Sequence, residues 1–237
     1  MPVEMSDIQG PVLVIAPHPD DETLGCGGII AALSDRGETV HTVFVTDGGA
    51  SHRNSKAWDR FRLSAEREEE AREALRHLGA EMQPRTHLRL PDAAMPHTGC
   101  AAYEASLAQL ESILITLHPR TVLVPWRRDP HCDHRDAWAL TMAALEKTRQ
   151  QPLVLEYAIW LDELGAPDDH PRAGEMDRVA IDAQAYMERK ATAIRAHRSQ
   201  LGLLVDDDPD GFVLTESTIA RLIGPEEVYW RACPVKP

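Results

Sequence analysis

Val12 to Ala16 is an unbroken apolar run between Pro11 and Pro17, and it gives way at once to His18-Pro19-Asp20-Asp21-Glu22 and a stretch rich in small residues, Leu24 to Leu33. A short strand without polar alternation has to be covered on both faces, and a parallel sheet between two helical layers does this. The polar run that follows cannot join the core. In an α/β protein the carboxyl end of a strand, facing a helix N-terminus, is where ligands and reacting groups collect.

The rest of the chain repeats the alternation. The first helix extends to about Arg36, with Gly37 as its stop, and Thr39 to Thr46 alternates with β-branched residues as a second strand. Ser51 to Trp58 reads as a loop, Phe61 to Leu78 as a charged helix ended by Gly79, and Thr86 to Leu90 as a third strand. Pro91 then opens a loop that carries Asp92, Met95 and His97. Ala101 to Leu117 is helical by periodicity, and Thr121 to Pro125 is a fourth strand that runs into Trp126 to His134. Arg135 to Thr148 continues as a helix, Leu153 to Trp160 is a fifth strand, Asp162 to Glu175 a loop, and Arg178 to Ile181 a sixth strand. Ala183 to Arg198 reads as one helix, Glu216 to Ile223 as a short one, and Val228 to Arg231 as an edge-like strand. The expected architecture is a single α/β domain over residues 1–237, Rossmann-like and three-layered, with a mostly parallel sheet and helices on both faces.

Right-handed crossovers then place His18-Pro19-Asp20-Asp21 and His131-Cys132-Asp133-His134 at one edge of the sheet, although more than a hundred residues lie between them. Two imidazoles and a carboxylate with an open position form the ligand set of catalytic zinc and of non-haem iron(II) sites, and His18, Asp21 and His134 can supply it. Adjacent carboxylates cannot both reach one ion, which frees one of Asp20 and Asp21 for proton transfer. His131 faces the same cleft as a group for a carbonyl or a leaving amine, and Asp133 can hold its ring or that of a ligand. A free base tells against an iron(II) oxygenase, the alternative chemistry for such a set; a non-catalytic sugar- or nucleotide-binding module is the other alternative.

Other signals carry less. Gly25-Cys26-Gly27-Gly28 follows a strand, but Ile30 stands where a dinucleotide fingerprint needs its third glycine. Glu22 suits the positive end of a helix without any chemistry, His197 suits the negative end as a partly charged imidazole, and Cys132 reads as a packing residue. Arg67 lies in a charge run, Glu66 to Glu70, that reads as a solvated face, and Asp206 to Asp210 reads as a solvated turn. The net charge of −13, from 25 basic and 38 acidic residues, opposes nucleic acid or an anionic membrane as partner. Four scattered cysteines, Cys26, Cys100, Cys132 and Cys233, with no signal pattern over Met1 to Gly10, point to a reduced, cytoplasmic protein.

The paired motifs Pro17-His18-Pro19-Asp20-Asp21-Glu22 and His131-Cys132-Asp133-His134 resemble the LmbE-like (PIG-L) de-N-acetylase family. The resemblance covers most of the chain and implies a Rossmann-like fold without a nucleotide. It implies His18, Asp21 and His134 as ligands of zinc or another divalent metal such as iron(II), and Asp20 as general base. It further implies His131 as the group at the oxyanion or the leaving amine, Asp133 as its orienting partner, and Arg67 and Asp92 as substrate contacts. Cys132 replaces the usual proline of the second motif and Pro17 the usual alanine of the first, which bears on loop shape and substrate fit. The activity so implied is hydrolysis of the N-acetyl group of an N-acetylglucosamine-type amino sugar or its conjugate. The expected partner is that small molecule, with no nucleic acid, no membrane, and self-association allowed.

Overall fold

Continuous apolar strands and helices of 3.6-residue periodicity assemble into one seven-stranded sheet with helices on both faces. The computed structural model describes residues 3–233; residues 1–2 and 234–237 of the expected domain range lie outside the described residues. The strands are β1 (Val12–Ala16), β2 (Val40–Thr46), β3 (Arg85–Leu90), β4 (Thr121–Pro125), β5 (Leu153–Tyr157), β6 (Met176–Asp182) and β7 (Glu226–Ala232). Their order is β3-β2-β1-β4-β5-β7-β6, parallel from β3 to β5, with β7 antiparallel to both of its neighbours. The helices are α1 (Asp21–Asp35), α2 (Arg60–His77), α3 (Ala101–Leu117), α4 (Cys132–Thr148), α5 (Leu161–Leu164), α6 (Met187–Ile194) and α7 (Glu216–Leu222).

Strand β1 shows why its run carries no polar residue. Val12, Val14 and Ala16 face a core shared with α1, α2 and α6, whereas Leu13 and Ile15 face a second core shared with α3 and α4. Both faces are covered, as a parallel strand requires. Chain order leaves β1 toward β2 on one side and reaches β4 on the other, so the crevice of the sheet opens at the carboxyl ends of β1 and β4. Both polar motifs stand there.

The glycines after β1 serve packing. A Cβ at Gly25 would lie 2.3 Å from the Tyr157 ring, and one at Gly28 would lie 2.6 Å from Ala183 Cβ. The partial dinucleotide pattern is thus a close approach of α1 to the sheet and to the segment before α6.

Several boundaries differ from the sequence reading. Helix α4 starts at Cys132 rather than Arg135 because His131 caps it, its Nδ1 accepting from the Asp133 N–H at 3.2 Å. Strand β5 ends at Tyr157, three residues before Trp160, because the N–H groups of Ile159 and Trp160 turn away to the buried Asp129 carboxylate at 3.3 and 3.2 Å. Asp162 to Glu175 includes part of the four-residue α5. The expected helix from Ala183 to Arg198 breaks after Ile194, and Glu70 instead takes the Ser199 N–H at 2.7 Å and its hydroxyl at 2.6 Å. Strand β7, read as an edge, lies inside the sheet, and β6 is the edge beyond it.

Candidate active site

Short turns off β1 and β4 bring the two motifs together. The rings of His18 and His131 meet edge-on at 4.7 Å between centroids, and those of His131 and His134 lie 5.2 Å apart. Asp21 joins the halves: its Oδ2 is 3.2 Å from His18 Nδ1 and 3.3 Å from His134 Nε2. His18 Nε2 stands 3.0 Å from Asp133 Oδ2 and 3.4 Å from Asp92 Oδ1. The Asp133 carboxylate therefore meets His18 and the Ala93 N–H, while its backbone N–H is what reaches His131.

This donor set fits a divalent metal. Ligand atoms of His18, His131 and His134 lie within 4.8 Å of one another, as do those of His18, Asp92 and Asp133 and those of His131, Cys132 and Asp133. Both ring nitrogens of His134 are buried without a well-formed hydrogen bond. An unpartnered buried nitrogen is costly unless something takes its lone pair, and imidazoles with a carboxylate are the donors that zinc accepts. Asp129 Oδ1 lies 3.4 Å from His134 Nδ1 and accepts the His131 N–H at 3.0 Å. Asp129 thus stands against the His134 ring and holds the turn that bears His131.

Burial and neighbouring charges divide the two adjacent aspartates. Burial, partly offset by Arg67, pushes the Asp20 carboxyl up to about 7. Burial acts on Asp21 in the same direction, but His134 and His18 hold it well below the usual carboxylate range. His134 is desolvated yet raised to about 9 by Asp21 and Asp129, and burial with the charge of His18 lowers His131 to about 4. Two carboxylates of one type thus hold protons at different pH, which leaves them open to different roles.

Arg67 and Asp92 both line the cleft beside His18. Arg67 is 2% exposed, which corrects the solvated-face reading: its guanidinium donates to Asp20 Oδ2 at 3.0 Å, Pro19 O at 3.1 Å and Gly48 O at 2.8 Å. Glu22 stands in the first turn of α1, as expected, and is buried there; it accepts the Asp20 N–H at 3.0 Å and the Thr23 hydroxyl at 2.8 Å. Burial pushes Glu22 up to about 8 and lowers His197 to about 3, so His197 is a neutral core imidazole rather than a partly charged cap. Cys132 is exposed, not packed. The acidic loop is pinned: Asp207 accepts from the Lys56 and Ala57 N–H groups at 2.7 and 2.9 Å, and Asp208 from that of Asn54 at 2.9 Å.

Sequence reasoning missed Asp129 and the far wall of the cleft, where Trp160 and Phe212 stand. Asp129 lies two residues before the second motif, and that spacing was the one local signal available. Nothing local marks Trp160 or Phe212, since they reach the cleft from loops after β5 and before α7.

Comparison with known proteins agrees with this geometry. The family model described as PIG-L, GlcNAc-PI de-N-acetylase, matches residues 13–145. A 1D-myo-inositol 2-acetamido-2-deoxy-alpha-D-glucopyranoside deacetylase of Mycobacteroides abscessus is 28% identical over 86% of this chain and 85% of its own. The N,N'-diacetylchitobiose deacetylase of Pyrococcus horikoshii, solved with an inhibitor, superposes with a TM-score of 0.60 and 26% identity over 84% of this chain and 72% of its own. The 4-carboxy-2-hydroxymuconate hydratase of Pseudomonas putida shares the fold at a TM-score of 0.69 and 18% identity over 95% and 97% of the two chains. Fold by itself therefore does not choose the reaction. With more than half its length matched by the family model and both histidine–aspartate motifs gathered in one cleft, the chain belongs to the PIG-L family of de-N-acetylases.

Proposed function

We propose that this enzyme uses zinc to hydrolyse the N-acetyl group of an N-acetylglucosamine-type amino sugar or its conjugate. The observation that carries the reading is the convergence of His18, Asp21 and His134, the last with both ring nitrogens buried and without a well-formed hydrogen bond, and with the buried Asp20 alongside. His18, Asp21 and His134 would hold the metal, and Asp129 would orient His134. Bound zinc supplies Lewis acidity to the amide carbonyl and to the attacking water.

The chain's own groups do the rest. Asp20 takes the proton of the attacking water, and Arg67 fixes the carboxylate that does so. His131 Nδ1 accepts a backbone N–H, so the neutral ring carries its proton on Nε2 and donates a hydrogen bond from there to the developing oxyanion. The proton taken up by Asp20 passes to the leaving nitrogen as the C–N bond breaks, and acetate and a free amine leave. Asp133 and Asp92 hold His18 from its other side, and Asp92 stands where a sugar hydroxyl can reach it.

The net charge of −13 supports a small-molecule substrate rather than a polyanion, and the four cysteines are free, as a reducing cytoplasm would keep them. Among the described residues no helix is long and apolar enough to cross a membrane.

The test is acetate release from N-acetylglucosamine conjugates by the zinc-loaded protein. We expect acetate and amine in equal amounts, lost on chelation and restored by zinc. A fully metallated protein that releases no acetate from any N-acetylated amino sugar would overturn the reading.

A further inference from the structure

The cleft has a volume of about 560 Å³, within the ~300–1,000 Å³ of sites for drug-sized ligands, and it extends past the acid–base groups. Its far wall takes no part in hydrolysis. Trp160, just after β5, and Phe212, on the loop before α7, meet edge-on at 5.7 Å, and Leu164 at the end of α5 joins them in the lining. Leu164 is 67% exposed and Phe212 37%. Val213, next to Phe212, lies against Gly202, and both Val213 and Leu203 are exposed apolar side chains. Apolar groups gathered beside a site mark a surface that something covers.

The amide donors in this part of the lining are engaged within the protein, and the exposed Asp210 carboxylate lies in the lining as well. Asn54 Nδ2 donates to Asp208 Oδ1 at 3.3 Å, and Gln200 Nε2 donates to Ser51 Oγ at 3.2 Å and Ser199 Oγ at 3.0 Å. A second sugar or a polyol docked here would give up hydroxyl hydration and find Asp210 as its acceptor but the amide donors already taken, whereas an apolar group would give up no hydrogen bonds and would meet Trp160, Leu164 and Phe212. Arg53 and Asp92 also line a second cavity of about 380 Å³, in whose lining Trp160, Leu164 and Phe212 have no part. The cleft is therefore polar at the reacting end and apolar at the other.

Building on the deacetylase reading, we infer that the substrate is an amphiphilic conjugate, an N-acetylated sugar bearing an apolar aryl or alkyl group that rests on Trp160, Leu164 and Phe212. The test measures kcat/KM of the zinc-loaded enzyme on the methyl, phenyl and octyl glycosides of N-acetylglucosamine in both anomers, on N,N'-diacetylchitobiose, and on an N-acetylglucosamine conjugate with a carboxylated aglycone. The phenyl or octyl glycoside should exceed the methyl glycoside by about tenfold or more. That ratio should fall toward one in Leu164→Ser combined with Phe212→Ser. Equal values across the series, or a preference for the disaccharide or the carboxylated conjugate, would overturn the inference and leave deacetylation standing. Acetate release from none of them would overturn deacetylation itself. The wall is then tested without turnover, by titrating octyl glucoside below its micelle-forming concentration against tryptophan fluorescence. We expect a saturable change that Trp160→Leu abolishes; no change in the wild-type protein would overturn the inference.

Discussion

Asp20 and Asp21 are chemically identical neighbours, and their surroundings alone separate them. Asp21 sits between His18 and His134, while Asp20 receives one guanidinium and is otherwise desolvated. Asp20→Asn should keep the metal and lose about 10²-fold or more in kcat, whereas Asp21→Ala and His134→Ala should lose the metal; metal analysis beside turnover reads both, and the reverse pattern would exchange the two roles. The acid limb of kcat/KM follows from the same carboxyl. The base must be ionised, so the rate rises with pH through an apparent pKa no higher than about 7, and the limb should vanish from the residual activity of Asp20→Asn. Asp129→Ala should weaken metal binding by about 10–100-fold, as read by chelator competition.

Helix α1 is held to the sheet by contacts that leave no room. Tyr157 lies over Gly25 and donates its hydroxyl to Ile15 O at 2.6 Å. Glu227, on β7, takes the Gly28 and Ile29 N–H groups at 2.7 and 3.0 Å, and Lys190 on α6 meets the same carboxylate at 2.7 Å. Gly25→Ala should cost about 1–3 kcal/mol through overpacking, seen as a lower denaturation midpoint at unchanged slope. Lys190→Met leaves Glu227 buried without its cation and should cost about 3–5 kcal/mol. An effect below about 0.5 kcal/mol in either variant would show that the helix yields at that contact. Since α1 starts at Asp21, movement of the helix should also loosen the site.

For the whole molecule, a metal would tie β1 to β4 and so couple folding to pH. In the metal-free protein His134 has its pKa raised from 6.5 to about 9. That pairing contributes stability fully present below about pH 6.5 and lost as pH rises through about 9. Metal needs the neutral ring, so its binding strengthens over the same interval. The Tm difference between zinc-loaded and metal-free protein should therefore widen from pH 6.5 to 9, and a constant difference would remove His134 from the ligand set.

Strand–helix alternation and the two histidine–aspartate motifs were legible in the sequence because both are local. The apolar run Val12 to Ala16 admits few environments, and the parallel connection rule then places both motifs at one edge. The boundaries that were misread depend on partners distant in sequence. Asp129 draws Ile159 and Trp160 out of β5, and Glu70 captures Ser199 and ends the helix before it. Arg67 read as solvated because charge in a polar run is usually surface, and only the folded chain sets Gly48 and Pro19 around it. The apolar wall is the extreme case. The sequence by itself determined the sheet's carboxyl edge and the chemistry gathered there; the tertiary structure alone decided what faces it, because Trp160 and Phe212 come from loops and Leu164 from the four-residue α5, whose positions no local propensity specifies.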